Sequence, residues 1–453
     1  MDNSNLLVGL DIGTTSVKAV VADSGKVIGA VAIPNKGMRH GNIIDIDETA
    51  SAISRALKEI ADKTNARIYS VVTGIPVGLL QLETASDLIN VSDSGQEVGN
   101  SDVKRVLQAA VKSAVKNERE PIAFLPSRFL IDGKTEVDDP RKMIAHSLAV
   151  QGILLTAPAS PLHNIKKAIE RAGYQNNFFV PTPLAIASVA LDESERTFGS
   201  IILDLGGGVT TATVIHDGQI KYANIDFEGG SDISNDISVV LSTSKKDAEQ
   251  IKLDYGYADP DLASTKDKFA VNSVGTDGQQ MVDEAYLSNI INARLMQTIE
   301  RIGKGLSKHD ALKLPGGIII TGGNSLLQGI DNIVANALGV KTRIYQPDQI
   351  GMRNPVYSAA YGIVNYSYRM SDIDFLVISA IYGKSLLGQT DDEPTHENIK
   401  KSKRPAAASE TKVKEEYNRH EMLKRDKQSQ SKQKNNNQNQ NKGIKNFLKK
   451  FFD

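Results

Sequence analysis

Two segments of the sequence, residues 8–21 and residues 201–214, align with each other without a gap. In each, an apolar run ends in Asp-x-Gly, at Asp11 or Asp204, and a second apolar run follows. The match continues into the next turn, where residues 23–25 align with residues 216–218. A single turn of this kind is typical of an ordinary hairpin, but hairpins do not require a duplicated sequence in register. The repeat therefore predicts two facing units that bind one phosphate group, and we call residues 11–18 the first aspartate turn and residues 204–211 the second.

The residue types in the two turns suit a phosphate clamp. Glycines let backbone N–H groups approach an anion closely, and hydroxyl and ammonium groups add further donors. The predicted phosphate ligands are Gly13, Thr14, Thr15, Ser16 and Lys18 in the first turn and Gly206, Gly207, Gly208 and Thr210 in the second. An aspartate repels a phosphate, so Asp11 and Asp204 predict a bridging Mg²⁺ that is held mostly through water.

A third signal lies near residues 316–325, where an apolar run enters the glycine pair Gly322-Gly323. A helical stripe of apolar residues follows from Leu326 to Leu338 and stops at Gly339. A strand, a double-glycine turn and a helix N-terminus would let a base or a phosphate lie against bare backbone. An ordinary strand-to-helix connection is the alternative.

Composition excludes several classes of function. The 453 residues are 40% hydrophobic and 24% charged, with no cysteine, no tryptophan and a formal net charge of −1. A chain of this kind can bury a sizeable core, and the absence of cysteine excludes disulfides, thiolate zinc sites and a cysteine nucleophile. The charge gives no general affinity for nucleic acid. We expect a soluble, cytoplasmic protein, because no apolar run is long enough to span a membrane and the N-terminus does not resemble a signal peptide.

Helical patterns occupy the regions between the repeated segments. Ser101 is the predicted N-cap of a helix whose apolar stripe runs from Val103 to Ala114, within an inserted region. A second helix is predicted to begin at Ser244, and a long helix is predicted around residues 287–302. Each half of the chain should therefore open with an aspartate turn and carry a helical addition.

The end of the chain differs in character. Residues 383–442 are polar, highly charged and rich in Gln, Asn and Lys near their end, which predicts a disordered linker. Residues 443–453 form an amphipathic helix when drawn as one, with an apolar face of Ile444, Phe447, Leu448, Phe451 and Phe452 flanked by Lys445, Lys449 and Lys450. Such a face is predicted to insert into a membrane of anionic lipids. Docking of this helix on the protein's own core is the alternative.

The whole constellation resembles the ATPase superfamily of actin, heat-shock chaperones and sugar kinases. The motifs are Asp-x-Gly-Thr-Thr-x-x-Lys, Asp-x-Gly-Gly-Gly-x-Thr, Ala-Glu-x-x-Lys and Thr-Gly-Gly-Asn, in this order. The resemblance implies an α/β, two-lobed fold of duplicated ribonuclease-H-like domains that binds ATP and Mg²⁺. It also implies that the nucleotide site includes Val209, Gly230 and Asn324. Glu249 and Lys252 would contact the ribose and adenine side, and the adenine would lie against Gly322 and Gly323.

Within this superfamily the chain is most similar to the FtsA family of bacterial cell division. The similarity rests on residues 8–18, the turn at residues 227–231, the insertion in the first half and the tethered amphipathic C-terminus. It implies a first lobe (1A), an inserted subdomain (1C), a second lobe (2A) and a subdomain 2B. The predicted bounds are 1–83 with 162–199 for 1A, 84–161 for 1C, 200–241 with 313–382 for 2A, and 242–312 for 2B.

The same similarity implies partners and a location. These are self-association into a polymer, the C-terminal peptide of FtsZ on 2B, other division proteins on 1C, and anionic lipids on the cytoplasmic face of the cell membrane at the division site. The alternatives are another actin-like membrane scaffold, of the MreB or PilM kind, and a small-molecule kinase of the same superfamily.

One departure from the superfamily concerns catalysis. Chaperones and MreB carry a water-orienting glutamate before a Pro-initiated helix, and this chain has Thr182 before Pro183. A threonine is not a general base near neutral pH. Asp204 is the only catalytic candidate, through an ordered water, and the chain is expected to be at most a slow ATPase in which nucleotide acts as a conformational switch.

Overall fold

A computed structural model describes residues 6–275, 279–349 and 351–383 of the chain. Apart from Gly383, the predicted linker lies outside the described residues. The predicted membrane helix, with Ile444 to Phe452, also lies outside them. The helices and strands are numbered in chain order.

The first half of the described chain begins with the first copy of the repeat. Its elements are β1 (Leu6–Ile12), β2 (Ser16–Asp23), β3 (Lys26–Pro34), β4 (Met38–Arg39), β5 (Asn42–Ile43), α1 (Ile46–Thr64), β6 (Ser70–Ile75), β7 (Gln81–Asn90), β8 (Gln96–Glu97), α2 (Asn100–Ala114), β9 (Arg119–Ile131), β10 (Thr135–Val137), β11 (Ile144–Ala145), β12 (Ser147–Pro158), α3 (Ala159–Arg171), β13 (Gln175–Pro181), α4 (Thr182–Ala190) and α5 (Glu193–Phe198).

The second half begins with the second copy of the repeat. Its elements are β14 (Ser200–Leu205), β15 (Thr210–His216), β16 (Gln219–Asp226), α6 (Gly230–Val240), α7 (Lys245–Tyr255), β17 (Lys268–Asn272), β18 (Gln279–Asp283), α8 (Glu284–Lys308), β19 (Ile318–Thr321), α9 (Ile330–Leu338), β20 (Thr342–Ile344), α10 (Ser358–Tyr368) and α11 (Asp372–Tyr382).

Two five-stranded sheets have the same topology. Their strand orders are β13-β6-β1-β2-β3 and β16-β15-β14-β19-β20. In both, three antiparallel strands are followed by parallel neighbours, and the register is shared, because Asp11 pairs with Lys18 just as Asp204 pairs with Thr211. The predicted duplicated α/β fold is confirmed, and the repeat places each aspartate at the end of the central strand of its sheet.

Helices α4 and α10 join the two halves by close packing. A Cβ atom at Gly362 of α10 would lie 2.3 Å from the carbonyl oxygen of Ala185 in α4. A Cβ atom at Gly9 of β1 would lie 2.5 Å from the carbonyl oxygen of Ala360 in α10. The surrounding core is apolar and buried, with Leu10 and Ile363 fully inaccessible to solvent. This packing holds α10 against both the first sheet and α4.

The inserted region forms its own sheet, with strand order β10-β9-β12-β7. Its apolar core includes Val103, Leu107 and Phe129, and Val377 of α11 packs into the same core. The predicted N-cap at Ser101 is wrong, because α2 begins at Asn100 with Gly99 as its N-cap. The backbone N–H of Gly99 donates to the Asp102 carboxylate at 3.0 Å, so the acidic residue of the first turn fixes the start of the helix.

Two other helix predictions are confirmed and one requires correction. Helix α7 begins after Ser244, whose hydroxyl accepts from Asp247 N, and α8 covers the predicted long helix. Helix α9 begins only at Ile330, because Gly329 adopts a φ of +81° and a short 3₁₀ turn over Gly323–Leu326 precedes it. The glycine pair thus opens a 3₁₀ turn and not the N-terminus of an α-helix.

Among the described residues, no helix is both long and apolar enough to cross a membrane.

Candidate functional site

One cleft between the two sheets gathers the predicted site residues. It is lined by Asp11, Gly13, Thr14, Thr15, Ser16, Lys18, Asp204, Gly206, Gly207, Gly208, Val209, Gly230, Glu249, Lys252, Gly322, Gly323 and Asn324, among others. The named residues come from five separate segments of the chain and meet in one place. Their roles as ligands remain predictions.

The two aspartate turns face each other directly. A side chain at Gly207 would lie 2.4 Å from the Thr15 side chain, and one at Gly208 would lie 2.5 Å from Cγ2 of Thr14. The Gly41 backbone donates to Thr14 Oγ1 at 3.0 Å, and a ring nitrogen of His40 lies 3.3 Å from the Gly208 carbonyl oxygen. The glycines thus leave bare backbone at the point where the two turns approach most closely.

Each turn is closed by the same backbone bond. Gly13 N donates to Ser16 O at 3.0 Å in the first turn, and Gly206 N donates to Val209 O at 3.1 Å in the second. The first turn is also held by Asn35, whose side chain donates to Gly13 O at 3.0 Å. Both turns are therefore preorganised, which lowers the cost of binding an anion.

The two aspartates have different electrostatic surroundings. Lys18 Nζ lies 3.1 Å from Asp11 Oδ2, and both side chains are mostly buried. Asp204 retains some access to solvent in the cleft, but burial on its other sides and the charge of Asp11 raise its pKa to about 6, while Lys18 opposes this shift. Two neighbouring carboxylates, of which Asp11 is paired with Lys18, suit a divalent metal, which would lower the repulsion between them.

The glycine pair after β19 lies against the second aspartate turn. Gly322 adopts a φ of +88°, and a side chain there would lie 2.4 Å from Asp204 Oδ1. Asn324 Nδ2 donates to Gly206 O at 2.7 Å and its side chain fills the space where a Gly230 side chain would be. Asn324 therefore braces the second turn from inside the lobe.

Lys252 and Glu249 lie one helical turn apart on α7, at the side of the cleft. The Lys252 side chain is 3% exposed, and its ammonium donates to Gly230 O at 2.9 Å and to Glu249 Oε2 at 2.8 Å. Burial lowers the pKa of Lys252, and Glu249 partly offsets this. In this structure Lys252 joins α7 to the start of α6.

Two buried hydroxyl groups indicate what kind of ligand the cleft can bind. Thr321 Oγ1 and Ser358 Oγ both belong to lining residues, and among the described residues neither has a hydrogen-bond partner. Buried polar atoms without partners are costly, so these two favour a ligand or water with donor and acceptor groups. The uncovered backbone at Gly207 and Gly208 and the aspartate pair fit the phosphates and magnesium of a nucleotide.

The position expected for a catalytic glutamate is Thr182, the first residue of α4. Thr182 lines the cleft and is 8% exposed. No group of three or more His, Cys, Asp or Glu side chains that could bind a metal occurs in the described part of the chain. A magnesium ion here would depend on Asp11, Asp204, phosphate oxygens and water.

One predicted site residue does not line the cleft, and some lining residues were not predicted. Thr210 does not line the cleft, because its hydroxyl donates to Glu228 O at 3.0 Å. Missed lining residues come from the segment before α10, including Pro355, Val356, Ser358 and Ala359. The Asn-Pro pair that caps this segment, with Asn354 accepting from Val356 N, was the available signal.

Comparison with known proteins agrees with this architecture. The family model "Cell division protein FtsA" matches residues 201–362, and the model "SHS2 domain inserted in FTSA" matches residues 78–156. Cell division protein FtsA of Enterococcus hirae is 39% identical over 391 residues, which cover 85% of this chain and 88% of that protein. FtsA of Bacillus subtilis is 33% identical over 377 residues, covering 82% and 86%.

A solved structure shows the same fold at low identity. The PilM–PilN type IV pilus biogenesis complex contains a chain with a TM-score of 0.55 and 15% identity, covering 80% of this chain and 99% of that one. This likeness supports the actin-like fold alone. The identities to FtsA over most of both chains decide the family: this chain belongs to the FtsA family of bacterial cell division proteins.

Proposed function

We propose that this cell division protein binds ATP with Mg²⁺ in the cleft and, in that state, polymerises on the cytoplasmic face of the membrane at the division site. The apposition of the two aspartate turns, with Thr15 against Gly207 and Thr14 against Gly208, carries the proposal. Donors on both turns would hold phosphates, and Asp11 and Asp204 would hold Mg²⁺ through water. The metal would neutralise phosphate charge.

The nucleotide acts as a conformational lock in this proposal. Each aspartate turn belongs to a different five-stranded sheet, so a ligand held by both turns ties the two lobes together. A ligand that binds one arrangement of the lobes better than another stabilises that arrangement. Because Thr182 stands in place of an acidic residue, ATP hydrolysis would be slow at most. Asp204 is the catalytic candidate, since it could order a water through the magnesium.

Attachment to the membrane is assigned to residues 443–453, outside the described residues. The apolar face of Ile444, Phe447, Leu448, Phe451 and Phe452 would enter the interface, while Lys445, Lys449 and Lys450 would meet anionic headgroups. One short helix binds weakly, and many copies in a polymer would bind strongly through avidity.

Partners are assigned to the predicted subdomains. Subdomain 2B, residues 242–312, would bind the C-terminal peptide of FtsZ, and subdomain 1C, residues 84–161, would bind other division proteins. Lobes 1A and 2A would form the nucleotide cleft. The protein thereby links FtsZ filaments to the membrane.

Electron microscopy of the full chain on monolayers of anionic lipid tests this proposal. Filaments should form with ATP and Mg²⁺, and should be lost when either is omitted or when the chain is truncated after Lys442. Filament formation on lipid that is independent of nucleotide would contradict the proposed lock. Robust phosphate transfer from ATP to a small acceptor would instead support the kinase alternative.

A further inference from the structure

The turn that joins β16 to α6, residues 226–231, supports the second aspartate turn from behind. Gly230 N donates to Gly206 O at 3.0 Å and Ser231 N donates to Gly207 O at 2.7 Å. The Glu228 carbonyl accepts from Thr210 Oγ1 at 3.0 Å. Three bonds therefore tie this supporting turn to the backbone and the hydroxyl of the second aspartate turn.

Two arginines of α8 hold the supporting turn from its other side. Arg301 Nε donates to Asp226 Oδ2 at 2.5 Å, and its Nη2 donates to the Glu228 carboxylate. Arg294 Nη1 lies 3.0 Å from Glu228 Oε2. Arg294 also donates from Nε and Nη2 to the two carboxylate oxygens of Asp236 in α6, at 2.7 and 2.9 Å.

Asp226 distinguishes this cluster from a set of surface ion pairs, although Arg301 itself is 44% exposed. The Asp226 side chain is 7% exposed, so a lost arginine would leave a buried carboxylate without its partner. The Asp236 carboxylate raises the pKa of Arg294, and the Asp226 carboxylate raises that of Arg301. Although burial opposes it, the bonds from Arg301 and Arg294 lower the pKa of Glu228. These shifts favour the charged forms of Arg294, Arg301 and Glu228 at neutral pH.

Helix α8 extends well beyond the cluster. It runs for 25 residues from Glu284, directly after the β17–β18 hairpin, to Lys308. Its buried residues run along most of its length, from Leu287 to Leu306, and Arg294 and Arg301 lie within this stretch. One rigid helix thus connects the region around the hairpin with the supporting turn.

We infer that Arg294 and Arg301 are positioning residues for the second aspartate turn, and that through them α8 couples the β17–β18 region to occupancy of the cleft. This inference rests on the proposed nucleotide binding. Neither arginine is among the described residues that line the cleft. They fix the supporting turn, which in turn fixes the Gly206–Gly207 backbone by the bonds from Gly230 and Ser231.

The test measures the affinity of the full chain for a fluorescent N-methylanthraniloyl ATP analogue with Mg²⁺. Arg301→Ala and Arg294→Ala should each weaken binding about 10-fold, as is usual when a residue that orients a binding group is lost. Arg301→Lys keeps the charge but cannot reproduce both bonds of the guanidinium, so its affinity should be intermediate.

Arg343→Ala is the matched control, and Arg343 lies on β20 of the second five-stranded sheet. Arg343 makes an equivalent two-bond pair with Glu195, at 3.0 and 2.7 Å, away from the cleft. This variant should lower the unfolding temperature while leaving the affinity within about twofold of wild type, since surface pairs contribute little beyond their own site. A purely structural role of Arg294 and Arg301 would give the same pattern as Arg343.

Hydrogen exchange of the wild-type chain provides a readout that does not depend on variants folding. Binding of the analogue should slow exchange at residues 226–231 and along α8, and not only at the residues that line the cleft. If the wild type binds but α8 exchange and the affinities of Arg294→Ala and Arg301→Ala do not change, the inference is overturned and the proposed function stands. If the wild type does not bind the analogue with Mg²⁺, both are overturned.

Discussion

The two aspartate turns share a backbone and differ in their chemistry. In the first, Lys18 is the partner of Asp11 across the strand pair, and hydroxyls of Thr14, Thr15 and Ser16 surround the turn. In the second, Thr211 occupies the position equivalent to Lys18, Gly207 and Gly208 replace Thr14 and Thr15, and Val209 replaces Ser16. The first turn thus brings its own cation, while the second offers bare backbone and an aspartate whose charge is not balanced.

This difference assigns distinct tasks to the two halves of a duplicated fold. In the proposed function the first turn, whose Asp11 is paired with Lys18, would hold phosphate oxygens with or without a metal. Burial and the nearby Asp11 raise the pKa of Asp204, so a cation bound beside it would favour its charged form. The second turn is also the one held by α6 and α8, so it is the half on which the rest of the molecule can act.

A substitution that forces the two turns apart should have the largest effect on nucleotide affinity. Gly207→Val would drive a side chain into Thr15, which lies 2.4 Å from the position of the new Cβ. Nucleotide affinity should fall by ~100-fold, because displacement of ligands by about 1 Å is enough for such a loss. Overpacking should also lower the free energy of unfolding by about 1–3 kcal/mol. Calorimetric titration and chemical denaturation measure the two effects.

The control for this variant is Gly207→Ala combined with Thr15→Ala. Removing the Thr15 hydroxyl and methyl relieves most of the clash, so stability should recover more than binding does. Unchanged affinity in Gly207→Val would show that the turns do not act together.

Because the charge of Asp204 is not balanced, Asp204→Asn should raise the free energy of unfolding, and this increase should depend on pH. The folded pKa of about 6 lies above the ordinary value of 3.8, so the folded state holds a proton that the unfolded state releases between these pH values. Stability of the wild type without metal or nucleotide should therefore fall as pH rises from 4 to above 6. The Asn variant should be more stable by at most about 3 kcal/mol at pH 7.5, because the cleft still hydrates the carboxylate.

Denaturant titrations of both proteins from pH 4 to pH 8 measure this gain. The difference should vanish near pH 4, where both side chains are neutral. Asp11→Asn serves as the comparison, since it removes a carboxylate that is paired with Lys18. A gain for Asp204→Asn that is equal at all pH values would contradict the electrostatic account.

Two variants, one that adds a lysine to the second turn and one that removes the lysine of the first, extend the same comparison. Thr211 lies opposite Asp204 in the strand pair, so its side chain is on the same face of the sheet. Thr211→Lys should lower the pKa of Asp204 and flatten the pH dependence of stability by about 1 kcal/mol. Lys18→Gln should weaken nucleotide binding about 10-fold. A Thr211→Lys profile identical to wild type would show that the position does not determine the charge balance.

The glycine pair beside the second turn gives the smallest expected effect. Gly323 has open space where a Cβ would stand, with no atom of the described residues within 4 Å. Gly323→Ala should keep stability within about 0.5 kcal/mol and weaken adenine nucleotide binding only if Gly323 floors the base. Gly322→Ala is the contrast, because its φ of +88° and the approach to Asp204 should make it destabilising. Thermal unfolding and nucleotide titration of the pair separate the two roles.

Local sequence patterns were sufficient for the features that repeat. The Asp-x-Gly match between residues 8–21 and 201–214 predicted the strand pairing and the location of both aspartates, since register follows from the spacing of apolar residues and turns. Ser244 and the apolar stripe of α8 likewise determine helix starts through local bonds and periodicity. These properties depend on neighbours in the sequence.

Other features depend on contacts that no local pattern contains. Asp102 caps Gly99 and shifts the start of α2 from Ser101, and Gly329 delays α9 by its positive φ. The hydroxyl of Thr210 turns away from the cleft because the Glu228 carbonyl is available to it. Ser358 reaches the cleft only because α10 packs against α4. Such outcomes follow from tertiary packing.

Calorimetric titration of the full chain with ATP, in the presence and absence of Mg²⁺, tests the central claim most directly. The account predicts one saturable site per chain whose affinity depends on Mg²⁺, and a loss of that dependence in Asp204→Asn. Absence of saturable binding, or binding that is equally tight without Mg²⁺ and in Asp204→Asn, would contradict the claim that the two aspartate turns form a clamp for a magnesium nucleotide.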